Sequence, residues 1–165
     1  MAGDSSFDVV SDFDQQELVN ALDQARREIA TRYDFKGSNT QLELAKDAIE
    51  LRADSESRAR SVRDLIETKA IRRGLSLKIF EWGDIEPAAG STVRQHIGLR
   101  RGLSDELSRK ITKLIRDEYP KAKSQVQGDA VRVSSKSKDE LQRIIARLRQ
   151  ESEGYPVALQ YINFR

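Results

Sequence analysis

The spacing of apolar residues changes period several times along the chain, and each change marks an element. Ser6-Phe7-Asp8-Val9-Val10-Ser11 is short, β-prone and bounded by polar residues, which predicts a strand. Asp12, with Gln15 three positions on, supplies a helix-start signal. In that helix Leu18, Leu22, Ala25, Ile29 and Tyr33 recur at three- and four-residue spacing and form one apolar stripe, which Asp34-Phe35-Lys36-Gly37 and the polar run behind it bring to an end. The stretches 41–44 and 48–52 then alternate, with Leu42, Leu44, Ile49 and Leu51 on one face and Glu43, Glu50 and Arg52 on the other. Ala45-Lys46-Asp47 joins them as a tight turn, so a hairpin with one wet side is expected. A second amphipathic helix carries Ala59, Val62, Ile66 and Ala70 and stops at Gly74, and Leu75-Ser76-Leu77-Lys78-Ile79 resumes the alternation of a strand.

Residues 83–91 hold Pro87, Gly90 and paired alanines without any period, as a connector would. Beyond them the order repeats. The stretch 92–99 reads as a strand, and Ser104 caps a helix with Leu107, Ile111 and Leu114 turned inward. The stretches 123–127 and 130–134 read as a hairpin about Gly128-Asp129. Ser137 and Glu140 form a capping box for a helix with Leu141, Ile144, Ile145 and Leu148 inward, and 157–164 reads as a closing strand. Each helix has a single apolar side and each strand a single buried face, so the economical arrangement is α+β: two tandem β-α-β-β-α-β units, each a four-stranded antiparallel sheet with two helices on one face. Units of about 80 residues bury limited apolar surface. Mutual support is therefore expected, with a ligand cleft where the units meet.

Composition narrows the function classes. Apolar residues make up 38% and charged residues 34% of 165, a balance that fits a soluble folded chain. The polar start and the lack of any long apolar run argue against secretion and membrane insertion, and the absence of cysteine excludes disulfides, thiolate metal sites and a cysteine nucleophile. A cytoplasmic location is expected. The net charge of +2 is uneven: through Trp82 there are 13 Lys and Arg against 16 Asp and Glu, and from Gly83 onward 16 against 11. A basic second half favours an anionic partner, although ordinary solvated surface explains a surplus of this size equally well.

No constellation points to catalysis. His96 is the only histidine, so neither a metal set nor a triad can be completed around it. The glycines match neither a P-loop nor a dinucleotide fingerprint, and Glu43 and Glu50 read as the solvated side of the hairpin. No catalytic residue, metal ligand or cofactor is assigned. The cations on open strand faces carry more information: Arg94 and His96 in one strand, Lys123, Arg132 and Lys136 in the second half, and Arg165 at the end. An arginine fork can grip a phosphate or the O6/N7 edge of guanine, and flat side chains such as Trp82 and Phe164 can stack on a base. For Tyr161 a core role is expected, because it shares a face with Val157 and Leu159. The basic-Gly-aromatic run of RNA-recognition motifs is absent from the third strand of either half.

Five blocks in one order extend this reading. Ser6-Phe7-Asp8-Val9-Val10-Ser11, Arg32-Tyr33-Asp34-Phe35-Lys36-Gly37, Gln127-Gly128-Asp129-Ala130-Val131-Arg132-Val133, Lys136-Ser137-Lys138-Asp139-Glu140-Leu141-Gln142 and Asn163-Phe164-Arg165 resemble the bacterial YajQ family over nearly the whole chain. The resemblance implies two ferredoxin-like, ribonucleoprotein-type domains that exchange N-terminal strands. One would span 12–102 and include the exchanged strand 92–100; the other would combine 1–11 with 103–165. It also implies reversible nucleotide binding without catalysis, with cyclic di-GMP or another guanine nucleotide, GTP or ATP as ligand, coupled to a protein or nucleic-acid partner. An RNA-binding or ribosome-associated module is the alternative, and a structural adaptor a third. The expected roles are phosphate or guanine contacts for Arg32, Lys36, Arg132, Lys136 and Arg165, acceptance from guanine nitrogens by Asp34, and stacking by Phe35 or Trp82.

Overall fold

A short polar side chain that takes up a free backbone N–H starts each helix, and the apolar stripe behind it decides which side is buried. In a computed structural model that describes residues 4–165, the chain runs through β1 (Ser5–Val10), α1 (Gln15–Thr31), β2 (Gln41–Leu44), β3 (Ala48–Ala53), α2 (Glu56–Arg72), β4 (Phe80–Ala88), β5 (Thr92–Leu99), α3 (Asp105–Glu118), β6 (Lys123–Gln127), β7 (Ala130–Ser135), α4 (Lys138–Gln150) and β8 (Gln160–Ile162). Ser55, Ser104 and Ser137 cap α2, α3 and α4 by accepting from the N–H groups of Arg58, Leu107 and Glu140. Such a cap contributes about 1 kcal/mol. The cap of α1 is Asp14, which accepts from the Gln16 N–H at 2.9 Å, rather than Asp12. Asp12 is spent elsewhere: its carboxylate meets Arg101 at 2.9 Å and its N–H donates to the Gln160 side chain.

Two units result, one of Phe13–Arg100 and one in which the chain up to Asp12 joins Arg101–Arg165. The first holds the antiparallel sheet β2-β3-β5-β4 with α1 and α2; the second holds β6-β7-β1-β8 with α3 and α4. Each is a ferredoxin-like sheet whose strand next to the hairpin comes from beyond the continuous β-α-β-β-α-β order, so the N-terminal strands are exchanged. In the first unit Leu18, Leu22, Ile49, Leu51, Ile66 and Ile97 are fully buried between sheet and helices. In the second Phe7, Val9, Ile111, Ile115, Ile144 and Leu148 are buried in the same way.

Register fixes what the open sheet faces carry, because alternate residues point to opposite sides. In the second unit Asp8 lies between Arg132 and Ile162, with Gln125 opposite Arg132, while Phe7 and Val133 turn inward. In the first unit Arg52 lies beside Arg94, and Glu50 beside His96. His96 Nδ1 sits within hydrogen-bond distance of Glu50, an exposed pair in the polar layer expected for both residues.

The stretch 83–91 is not a connector. It is the second half of β4 and the turn into β5, and its apparent loop signals have local causes. The β4–β5 register slips between Trp82 and Ile85, so Gly83 marks a bulge. A Cβ built there would meet the His96 carbonyl oxygen at 2.7 Å. Pro87 is tolerated because β4 is an edge strand. Gly90 and Ser91 turn the chain with φ of 73° and 62°.

Three further expectations are corrected. Leu75 and Ile79 are buried as expected, but the chain winds a 3-10 turn over Leu77–Ile79 and the strand starts at Phe80. Tyr33 does not extend the stripe of α1: the helix stops at Thr31, Arg32 is extended, and Tyr33 is 91% exposed. The closing strand is only Gln160–Ile162, since Asn163 turns to φ 58° before Arg165 exchanges two backbone hydrogen bonds with Ser6.

Candidate functional site

The residues singled out from the sequence fall into separate groups on the two units. Arg32, Asp34, Phe35 and Lys36 share one 3-10 turn behind α1. The Arg32 fork grips Asp34 through Nε and Nη2, each at 2.8 Å, and also lies 3.8 Å from Glu28. The bond from Arg32 holds the Asp34 carboxyl below the usual carboxylate range. Asp34 thus serves Arg32 in this structure. Phe35 is 3% exposed and belongs to the core, with Arg32 and Arg58 guanidinium carbons 5.2 and 5.6 Å from its ring centre. Its face is covered, which leaves no room for a base in this conformation. Lys36 is exposed and has no ion-pair partner among the described residues.

Trp82 lies on β4 opposite Ile97, packed at the margin of the core against Phe80, and the Arg63 guanidinium covers its ring at 4.6 Å. A guanidinium over a ring in this way is a favourable cation–π contact. Along the outer side of the same unit, α1 and α2 border a groove of about 740 Å³ lined by Arg27, Lys69, Arg72 and Arg73, with Glu17 and Glu28 among them. Glu28 binds Lys69 at 3.3 Å, and Glu17 lies 3.7 Å from Arg73.

On the second unit, Arg132 projects from β7 on the open sheet face. Its Nε donates to Asp8 at 2.9 Å and its Nη2 at 3.4 Å, and Asn163 donates to the same carboxylate at 2.8 Å. Asp8 is 7% exposed, and the bond from Arg132, helped by Asn163 and by the field of Arg165, outweighs burial and keeps its pKa below the usual value. Arg165 is anchored through its backbone to Ser6, two positions before Asp8 on β1. Tyr161 turns inward beside Val9 and meets the Phe7 ring edge-on at 6.0 Å, a core role as expected; burial pushes its hydroxyl pKa up. Phe164 stacks on Phe7 at 5.8 Å and stays 57% exposed.

Lys136 is placed differently. It lines a recess of about 190 Å³ together with Lys121, Lys123, Ser134, Ser135, Ser137, Asp4 and Glu140. The Glu140 carboxylate is engaged by the Ser135 hydroxyl at 2.8 Å, and the Ser135 oxygen in turn accepts from the Ser137 N–H at 3.1 Å. None of the three lysines has an ion-pair partner among the described residues. Lys121 carried no signal of its own in the sequence. The clue lay in the register: pairing of Lys123 with Ser134 brings the start of β6 against the end of β7, and so sets Lys121 and Lys123 near Lys136. Arg58, which shares Phe35 with Arg32, is a tertiary neighbour that no local pattern announces. Among the described residues no group of three or more metal-ligating side chains gathers, and no helix is long and apolar enough to cross a membrane.

The architecture is that of two ferredoxin-like units with exchanged strands, each presenting cations on an exposed face. The model of the family described as "Nucleotide-binding protein YajQ-like" matches residues 5–165, and the chain belongs to that family. Over all 165 residues, and over the full length of each relative, it is 56% identical to a nucleotide-binding protein of Chloroflexus aggregans, 55% to one of Trichodesmium erythraeum and 47% to one of Roseiflexus castenholzii.

Proposed function

We propose that this chain is a non-enzymatic cytoplasmic receptor for a guanine-containing nucleotide, with cyclic di-GMP as the leading candidate, and that occupancy is passed to a protein or nucleic-acid partner. The observation that carries this reading is the recess at Lys136. Three lysines without ion-pair partners among the described residues line a space large enough for a phosphate, with Ser134 and Ser137 beside them, and of the two carboxylates on the same rim Glu140 is held by Ser135. On the open face of the same sheet Arg132 keeps its Nη1 without a partner among the described residues, which suits the acceptor edge of guanine. Arg32 and Lys36 on the other unit remain candidates for phosphate contact. Asp34 and Phe35 act in this reading by fixing Arg32 in place rather than by touching the ligand, and Trp82 stacks only if Arg63 gives way.

A calorimetric titration with cyclic di-GMP, GTP, ATP and a short RNA tests the reading. Replacing Lys121, Lys123 and Lys136 by alanine, singly and together, is expected to weaken guanine-nucleotide binding about tenfold to a hundredfold for each residue that truly holds phosphate. Unchanged affinity in the triple variant would remove the recess from the site. RNA binding is the second reading, favoured by the four basic residues along the α1–α2 groove. RNA held on several phosphates loses affinity steeply as salt rises, whereas a dinucleotide with two charges gives a shallow slope.

A further inference from the structure

We infer that Tyr33 is a base-stacking platform for a purine nucleotide, with the exposed Lys36 on the same turn to receive the phosphate. At 91% exposure its ring is more open to solvent than any other exposed large hydrophobic side chain among the described residues. Exposure alone would say little; the turn beneath it says more. The Arg32 N–H still bonds to the Glu28 carbonyl at 2.8 Å as the helix ends, and Phe35, Lys36 and Ser38 close successive backbone bonds to Arg32, Tyr33 and Phe35 at 3.1, 3.2 and 3.0 Å. Gly37, at φ 78°, makes the reversal that lets these bonds form.

Side chains lock the turn from both ends. Arg32 forks onto Asp34, and Phe35 is anchored in the core beneath two guanidinium groups. The aromatic residue chosen from the sequence is therefore the anchor, and its neighbour two positions earlier is the ring presented to solvent. An aromatic ring held on a fixed turn loses little freedom when a base settles on it, which favours binding through pre-organisation. Flanking charge indicates what kind of molecule would settle. Arg32 is neutralised by Asp34 and Glu28, and Arg58 lies over the Phe35 ring within the field of Asp34, but the exposed Lys36 has no ion-pair partner among the described residues. The neighbourhood of Tyr33 is thus a flat ring followed three positions on by one uncommitted cation, Lys36, a combination that suits a base joined to a phosphate. With the Asp34 carboxylate already occupied, nothing here reads the guanine edge, so adenine and guanine should be held alike.

The inference rests on the nucleotide-binding reading, but it concerns a contact separate from the lysine recess. The test is calorimetric titration of GTP and ATP into the full chain and its Tyr33→Ala and Tyr33→Phe variants, with ring proton shifts of the tyrosines followed by NMR. Tyr33→Ala is expected to weaken both nucleotides roughly 5- to 150-fold, the range of one lost base stack, while Tyr33→Phe stays within about twofold of the parent. The Tyr33 ring protons should move upfield on adding either nucleotide. If the parent binds GTP or ATP and Tyr33→Ala binds as well, the platform is overturned and nucleotide binding stands. Equal losses in both variants would assign the effect to the hydroxyl and also overturn stacking. Absence of GTP and ATP binding by the parent would overturn the platform, and cyclic di-GMP titrated beside them decides the receptor reading on its own.

Discussion

Gly83 provides a test of the architecture at one atom. A methyl group added there would lie 2.7 Å from the backbone oxygen of His96, and that oxygen belongs to the adjacent strand β5, so it cannot swing aside as a side chain would. Relief requires β4 and β5 to part by several tenths of an ångström beside the bulge, where the Gln95 amide donates to the Gly83 carbonyl at 2.8 Å. Forced overpacking of this kind costs about 1–3 kcal/mol. For a chain of this length about 2 kcal/mol lowers the midpoint of thermal unfolding by roughly 4–8 °C. Gly98 is a matched control on the same two strands: a methyl there would meet the Glu81 Cβ at 3.5 Å, an ordinary contact. Gly98→Ala should leave the midpoint within about 2 °C of the parent, or raise it slightly through the unfolded chain. Thermal and urea unfolding followed by circular dichroism would be read beside the fluorescence of Trp82, the only tryptophan, which lies on β4 at the bulge. Equal midpoints for Gly83→Ala and Gly98→Ala would refute the pairing of 83–88 with β5 and restore this stretch to a linker.

Two further outcomes follow from the second unit. The folded-state pKa of Asp8 is depressed, so its stabilising effect is complete above the unfolded value near 4 and is lost as pH falls through the lower folded value; urea midpoints measured from pH 5 down to pH 2.5 should therefore fall less steeply for Asp8→Asn than for the parent, and parallel curves would contradict the assignment. Removing the cap in Ser137→Ala should cost about 1 kcal/mol and raise hydrogen exchange at the Glu140 amide, and unchanged exchange there would show that Ser137 does not hold that N–H.

Residues whose burial follows their spacing were readable from the sequence. The stripe of α1 as far as Ile29, the stripes of α2 and α4, the hairpin at 45–47 and the turn at Gly128-Asp129 all depend on local period and turn chemistry, and they stand where expected. Where one residue type serves two purposes, the local pattern misled. Gly83 and Pro87 look like loop punctuation, yet a bulge and an edge strand use the same residues for different reasons. In the turn after α1 the pattern contains two aromatic residues and cannot tell which is buried. That choice depends on where α1 stops and on Arg58, which lies 23 positions beyond Phe35 in a different helix. Strand exchange came from family resemblance, because a strand satisfies its pattern equally well in either sheet. The lysine recess needed the β6–β7 register, which sets residues thirteen apart at one rim.

The route of β1 has a consequence for how the molecule is made. Phe7 leaves the ribosome 126 positions ahead of its neighbour Val133, so at about 5–20 residues per second the two are separated by roughly 6–25 s of synthesis. Throughout that interval β1 has both edges unsatisfied, whereas the continuous stretch Phe13–Arg100 possesses every strand of its own sheet as soon as β5 is out, well before β7. The chain should therefore mature from the middle outward, and ribosomes stalled before β7 emerges should hold a folded centre carrying a sticky N-terminal tail for chaperones to shield.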